Sequence, residues 1–304
     1  MSGDDPQRPR TIRRFGAAEL FGQPLCTLEA AELRRLSGVP NSRMECPFKS
    51  NHKPCSKKGG VCSLIAFEKD QGGHVRTVGT PVTTCPNRFL ENNNVFHWVG
   101  EILLGTAQPM VVSQVPFLMS KDSEAAPQED EVGRIDNVLV SVRGRAMTWC
   151  ALEMQAVYFS GGKMEDDFVL MRGWRGPGLP FPERHRRPDY RSSGPKHLTP
   201  ELLIKVPALR RWGKRLAVVV DKAFWDSFGD MRAARHVSNA DIVWFIVEYD
   251  GPTDGRYRLV QRNTVCTTLE DVVEGLTGGT AVSLERFEQG IRERIKRDLD
   301  LSNT

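Results

Sequence analysis

Four closely spaced cysteines constrain the fold of this chain more than any other feature. They fall within 40 residues of a 304-residue sequence that has only three other cysteines, and they are Cys46, Cys55, Cys62 and Cys85. Four thiolates complete the tetrahedral coordination of a structural metal site. The surrounding residues 40–86 show little hydrophobic periodicity, as expected where a metal ion replaces part of a hydrophobic core. The sequence therefore predicts a four-cysteine metal-binding module.

Two disulfide bonds are the alternative use of these cysteines. No apolar run follows the charged N-terminus, so we expect no secretory signal and no oxidising compartment. The intervening gaps of eight, six and twenty-two residues contain no Cys-x-x-Cys pair, so the spacing supports a metal site without deciding it. His52 and His74 are possible substitute ligands. The other three cysteines are expected to be small buried hydrophobic residues: Cys26, Cys150 and Cys266.

Charge is distributed unevenly along the chain, although the net charge is only +4. Residues 172–215 carry twelve Lys or Arg against three acidic residues, and they are rich in Gly and Pro. This composition predicts an extended arm or long loop that is either a solvated basic surface or a contact to nucleic acid phosphates and guanine edges. No apolar run approaches the roughly 20 residues of a membrane span, so we expect a soluble, cytoplasmic protein.

Elsewhere the pattern predicts short elements. Residues 1–15 are expected to form a disordered tail, and residues 120–131 a loop. Helices are expected at 28–36, 86–104, 224–228 and 283–299, and strands at 216–220 and 242–249, with residues 256–266 pairing back as a hairpin. The closing helix packs either on the core or on a second subunit, and we favour the second subunit.

The most regular stretch, residues 134–160, predicts a β-hairpin. Val138, Val140 and Val142 alternate on one strand, and Gly144-Arg145 suits a two-residue turn. Partners across that turn have residue numbers that sum to 289. Asp136 is therefore expected directly opposite Glu153.

Two opposed carboxylates destabilise a sheet unless a cation lies between them. Mg²⁺ fits, because it commonly takes one or two carboxylates and keeps water and phosphate as its other ligands. Gln155, two residues beyond Glu153, is expected on the same face. This arrangement is typical of a metal-dependent phosphodiesterase, and a solvated polar edge hairpin is the alternative.

Both patterns together resemble one known family. Cys46-Pro-Phe, Pro-Cys55, Gly-Val-Cys62-Ser and Cys85-Pro-Asn-Arg-Phe resemble the cysteine module of the NotI-type restriction endonucleases. Ile135-Asp136-Asn137 followed by Leu152-Glu153-Met154-Gln155-Ala156 resembles that family's variant of the PD-(D/E)xK signature, in which Gln replaces Lys. The resemblance spans residues 46–160, in the family's order.

The resemblance implies an α/β fold with an α+β mixed sheet, namely a PD-(D/E)xK restriction-endonuclease-like core with an N-terminal four-cysteine metal-binding module. It also implies iron at the four cysteines, although thiolate chemistry suits zinc equally. The expected division is a tail and short helix at 1–39, the cysteine module at 40–86, and the nuclease core at 87–304, with the basic DNA-binding arm and C-terminal helices inside it.

The resemblance further assigns roles to individual residues. Asp136 and Glu153 would hold one or two catalytic Mg²⁺ ions, Gln155 would orient water, and Glu101 would be an additional helix glutamate; an exposed helix charge is the alternative for Glu101. The expected DNA-binding residues are arginines suited to guanine contacts: Arg143, Arg145, Arg184, Arg186, Arg187 and Arg191.

The predicted function is that of a type II restriction endonuclease that cleaves double-stranded DNA at a GC-rich palindrome. A palindrome implies a two-fold homodimer, and such a system includes a cognate DNA methyltransferase. Two other functions stay open at this point. One is a non-catalytic, metal-stabilised DNA-binding regulator, and the other is a repair-type nuclease on the same core.

Overall fold

Two larger β-sheets and one two-stranded sheet make up the β-structure of the protein, whose computed structural model describes residues 12–119, 131–278 and 282–302. The strands are β1 (Ile12–Leu20), β2 (Gln23–Pro24), β3 (Val61–Lys69), β4 (Val75–Thr83), β5 (Met110–Met119), β6 (Glu131–Arg143), β7 (Ala146–Met154), β8 (Phe159–Ser160), β9 (Arg187–Pro188), β10 (Leu216–Asp221), β11 (Ile242–Thr253) and β12 (Arg256–Thr267). The helices are α1 (Ala30–Gly38), α2 (Asn94–Leu104), α3 (Glu165–Gly173), α4 (Thr199–Arg211), α5 (Lys222–Trp225), α6 (Leu269–Thr277) and α7 (Leu284–Ser302).

The larger sheet is mixed and has six strands in the order β12-β11-β10-β7-β6-β5. Strand β10 runs parallel to β7 and β11, and the other neighbours are antiparallel. Helix α2 packs on one face against residues such as Leu139 and Leu152, while α4 and α6 pack on the other against Val138 and Val218. The α/β class and the mixed sheet are therefore confirmed.

The predicted hairpin register is confirmed. Asn137 pairs with Leu152 and Arg143 pairs with Ala146, so partners sum to 289 throughout the ladder. Gly144 has φ +60°, a left-handed conformation that glycine adopts without steric penalty, and it supplies the tight turn. Strand β7 ends at Met154, so Gln155 lies just beyond the strand.

A second sheet, in the order β2-β1-β3-β4, carries the cysteine segment. Strand β1 pairs with β3, so residues 12–15 belong to a strand rather than to the predicted tail. The rest of that tail lies outside the described residues. Cys46 and Cys55 sit in a hydrophobic cluster with α1 and α3 side chains such as Leu33 and Phe168, so the segment has an apolar core of its own.

Two further predictions need correction. The single helix predicted at 86–104 is a 3-10 segment, Pro86–Asn93, followed by α2, because Asn92 and Asn93 have positive φ and break the helix. The segment predicted as an extended arm contains a π-helical turn, Ser192–Leu198, that runs into α4. Only part of residues 172–215 is therefore loop.

The strands and the closing helix predicted in the C-terminal third are confirmed. Strands β10, β11 and β12 and helix α7 occupy the predicted segments, and α5 begins near the predicted short helix. The predicted loop at 120–131 lies outside the described residues except for residue 131, where β6 begins. In the described parts of the chain, no helix is both long and apolar enough to cross a membrane.

Candidate active site

Asp136 and Glu153 meet where the β6–β7 ladder ends. The last paired residues are Asn137 and Leu152, and the next residue on each strand is one of the two acids. The backbone N–H of Asp136 donates to Oε1 of Glu153 over 3.4 Å. Asp136 is exposed, whereas Glu153 is buried. The hairpin thus brings the two predicted acids together at the rim of the sheet.

Lys205 joins this pair from α4. Its Nζ lies 2.8 Å from Oε1 of Glu153 and 2.8 Å from Oε2 of Glu201, one helical turn earlier. Burial raises the pKa of Glu153 to about 7; Lys205 opposes the rise and Asp136 adds to it. Burial alone would lower the pKa of Lys205, but Glu153 and Glu201 together raise it above its ordinary value.

Gln155 lies next to this group but its amide is engaged elsewhere. Its Nε2 donates to the carbonyl of Ala156 over 2.8 Å, and its backbone N–H donates to Val219. A neutral amide can orient water but supplies no positive charge. On the other side of the site, Nε2 of Gln114 on β5 donates to Oδ1 of Asp136 over 3.2 Å.

Glu101 is not brought to the acid pair. It is exposed on α2, and α2 packs on the sheet face opposite to the one that α4 covers. Because Glu153 points toward α4, the two glutamates lie on opposite sides of the sheet. The role of Glu101 in the site stays a prediction, with an exposed helix charge as its alternative.

Two carboxylates suit Mg²⁺, which fills its remaining positions with water and substrate phosphate. Within the described ranges, no three His, Cys, Asp or Glu side chains are grouped closely enough to hold a metal ion without such additional ligands. The donor set of Asp136 and Glu153 therefore fits a catalytic Mg²⁺ that is completed by its substrate.

The four cysteines are buried free thiols. Cys62 lies on β3, and its carbonyl accepts from the N–H of Cys85 over 3.1 Å. Burial raises the pKa of the Cys62 thiol well above its ordinary value, and the charges of Glu19 and Cys85 add to that rise. Cys46 likewise adds to the rise that burial produces at Cys55 and Cys85.

Thiolates so placed are stable only beside a cation, so the donor chemistry fits a structural metal. Within the described residues, no three of these side chains already form a metal-holding group, although their charges influence one another's pKa. The two histidines considered as substitutes are exposed and contact acids instead: His52 contacts Glu45 and His74 contacts Asp70. Of the three remaining cysteines, only Cys150 is fully buried, whereas Cys26 is exposed.

Five of the six predicted DNA-binding arginines are exposed: Arg143, Arg145, Arg184, Arg187 and Arg191. Arg186 is the exception, because it is buried and its guanidinium is used inside the protein. Its Nη1 lies 2.5 Å from Oδ2 of Asp167, and its other nitrogens donate to the carbonyls of Gly162 and Lys163. Arg186 therefore holds the 160–187 region together and is not presented to DNA.

The family model described as restriction endonuclease NotI matches residues 33–259, most of the chain. The chain belongs to the NotI restriction endonuclease family. The protein is therefore a type II site-specific deoxyribonuclease, a hydrolase that cleaves DNA at a specific sequence. Among curated proteins, none matches the chain.

NotI family membership excludes the non-catalytic regulator, and the match includes both the cysteine segment and the β6–β7 hairpin. Lys205 is the residue that sequence reasoning missed. Its only local signal was the Glu201–Lys205 spacing of four residues, which is common on solvated helices.

Proposed function

We propose that the protein cleaves double-stranded DNA in a Mg²⁺-dependent reaction at a PD-(D/E)xK-type site formed by Asp136, Glu153 and Gln155. The observation that supports this most directly is the close approach of Asp136 and Glu153 at the end of the hairpin ladder. Asp136 is exposed, while Glu153 is buried and is contacted by Lys205 of α4.

The proposed reaction is direct hydrolysis. A water oxygen attacks the phosphorus in line, the P–O3′ bond breaks, and the products are a 5′-phosphate and a 3′-hydroxyl. Asp136 and Glu153 would hold the metal ion, and Gln155 would orient the water through its amide oxygen, since its Nε2 donates to the carbonyl of Ala156. Bound Mg²⁺, as one or two ions, would lower the pKa of the attacking water and neutralise charge on the phosphate.

The four cysteines are proposed to hold a structural metal: iron by resemblance to the NotI family, or zinc by donor chemistry alone. Four buried reduced thiols whose charges influence one another's pKa support this assignment. We retain the predicted division into residues 1–39, 40–86 and 87–304, with the cysteine module as a scaffold beside the nuclease core.

Recognition is proposed to involve a GC-rich palindrome bound by a homodimer, with a cognate methyltransferase protecting the same sequence in the cytoplasm. The five exposed arginines support guanine and phosphate contacts. Two of them, Arg143 and Arg145, are at the hairpin end, whereas Arg187 lies on β9 and Arg191 directly precedes the π-helical turn.

Digestion of GC-rich phage DNA with the purified protein and Mg²⁺ tests this function. Discrete fragments whose mapped ends share one palindrome support it. Cleavage that follows DNA structure instead of sequence would favour a repair-type nuclease. Intact DNA in Mg²⁺, with binding preserved, would refute the proposed Mg²⁺-dependent chemistry.

A further inference from the structure

A lysine from α4 makes the closest side-chain contact to the proposed catalytic glutamate in the described part of the chain. The side chain of Lys205 is 5% exposed, and its Nζ lies 2.8 Å from Oε1 of Glu153. The residues are 52 positions apart in sequence, so this contact is tertiary. Glu201 holds the same ammonium group from the exposed side of the helix at 2.8 Å.

The contacts distinguish the two oxygens of Glu153. Oε1 accepts from both Lys205 and the backbone of Asp136. Among the described residues, no donor is hydrogen-bonded to Oε2. One oxygen is therefore fixed by the protein, and the other is available to a cation shared with Asp136.

The positive charge at this site comes from α4 rather than from β7. The position that carries Lys in the general PD-(D/E)xK signature is Gln155, which is neutral and donates to the carbonyl of Ala156. Stability alone does not account for Lys205, because an apolar side chain of similar length would fill a helix–sheet interface without the desolvation penalty of a buried ion pair.

We propose that Lys205 is a positioning residue for DNA cleavage, whose ammonium group orients Glu153 and supplies the local positive charge that Gln155 lacks. This role rests on the proposed function of Asp136 and Glu153. Lys205 acts through Glu153 and not through DNA binding, so its loss should slow the chemical step and leave binding intact.

The test compares Lys205→Met with Arg210→Met, a matched control on the same helix. Arg210 also bridges two acids, Asp241 and Glu270, but outside the proposed site. Single-turnover cleavage is measured in saturating Mg²⁺, the DNA Kd in Ca²⁺, and thermal unfolding for each variant. We expect Lys205→Met to lose cleavage rate on the order of 100-fold, with its Kd within about threefold of wild type.

Lys205→Arg keeps the charge, and we expect it to cleave roughly tenfold faster than Lys205→Met. If Lys205→Met does not fold, Lys205→Gln replaces it under the same criteria, because its amide can still reach Glu153 without a charge. A rate equal to that of Arg210→Met, or no recovery in Lys205→Arg, would overturn the role of Lys205.

Asp136→Asn, assayed in parallel, separates this inference from the proposed function. An inactive Asp136→Asn combined with a fully active Lys205→Met would refute only the role of Lys205. A fully active Asp136→Asn would refute the proposed site itself.

Discussion

A buried ion pair joins the cysteine segment to the large sheet, and its disruption should destabilise the protein strongly. Glu19 on β1 and Arg88, just after Cys85, are both 0% exposed. Nε of Arg88 lies 3.1 Å from each carboxylate oxygen of Glu19, and its Nη2 donates to the carbonyl of Tyr257 on β12. Ser63 donates to Oε2 of Glu19 over 2.6 Å.

Glu19→Gln keeps the shape of the side chain but leaves the guanidinium of Arg88 without its main counter-ion. Removing one partner of a buried pair costs about 3–5 kcal/mol. Glu91, whose Oε2 lies 3.1 Å from Nη1 of Arg88, offsets part of this loss. We therefore expect the free energy of unfolding to fall by about 3 kcal/mol, near the lower end of that range.

Urea denaturation followed by tryptophan fluorescence measures this change. Glu270→Gln is the control, because it removes an exposed partner of Arg210 and should change the free energy of unfolding by less than about 1 kcal/mol. A loss below about 1 kcal/mol in Glu19→Gln would show that the pair does not fasten the cysteine segment to the sheet.

Three further perturbations have defined outcomes. Burial raises the pKa of Asp221 to about 6 from 3.8, so its stabilising contribution is full below pH 3.8 and is lost as pH rises through about 6. This loss lowers the free energy of unfolding by about 3 kcal/mol across that pH range, measured by urea denaturation, and Asp221→Asn should abolish it. A pH profile of Asp221→Asn that matches wild type would contradict this prediction. Cys85→Ser should reduce the content of bound iron or zinc, measured by elemental analysis, whereas Cys26→Ser at an exposed cysteine should not. Equal metal content in the two variants would argue against a four-cysteine metal site. Gly144→Ala should lower the free energy of unfolding by about 1–2 kcal/mol in thermal unfolding, because Gly144 has φ +60°. The space around it is open, so backbone strain alone causes the loss. An unchanged stability would indicate a different turn.

The hairpin could be predicted from sequence because local information specifies it. Alternating valines define the faces of β6, and Gly144 sets the turn, so the register places Asp136 opposite Glu153 without tertiary knowledge. The apolar runs of β10 and β11 likewise predict strands, since strands buried on both faces contain few polar residues.

The features that the sequence does not reveal depend on tertiary packing. Pro200 and Pro207 interrupt the helical pattern of α4 and favour a loop there, although Pro200, in the first turn of the helix, is well tolerated. The contact of Lys205 with Glu153 joins distant parts of the chain, and the burial of Arg186 depends on Asp167. No local pattern distinguishes such residues from solvated charges.

The side of the sheet on which Glu101 lies is also set by tertiary packing. Helix α2 follows the cysteine segment closely, but which face of the sheet it covers depends on the packing of Val95 and Val99 against β6, β7 and β11. The sequence predicts a helix in this region, whereas the position of its glutamate relative to the acid pair required the structure.

The Asp136→Asn variant is the sharpest test of the proposed active site. With cognate DNA, we expect it to bind in Ca²⁺ with a Kd within about threefold of wild type, because the side chain keeps its shape, yet to give no detectable product in saturating Mg²⁺. Cleavage at the wild-type rate would contradict the assignment of the active site to Asp136 and Glu153.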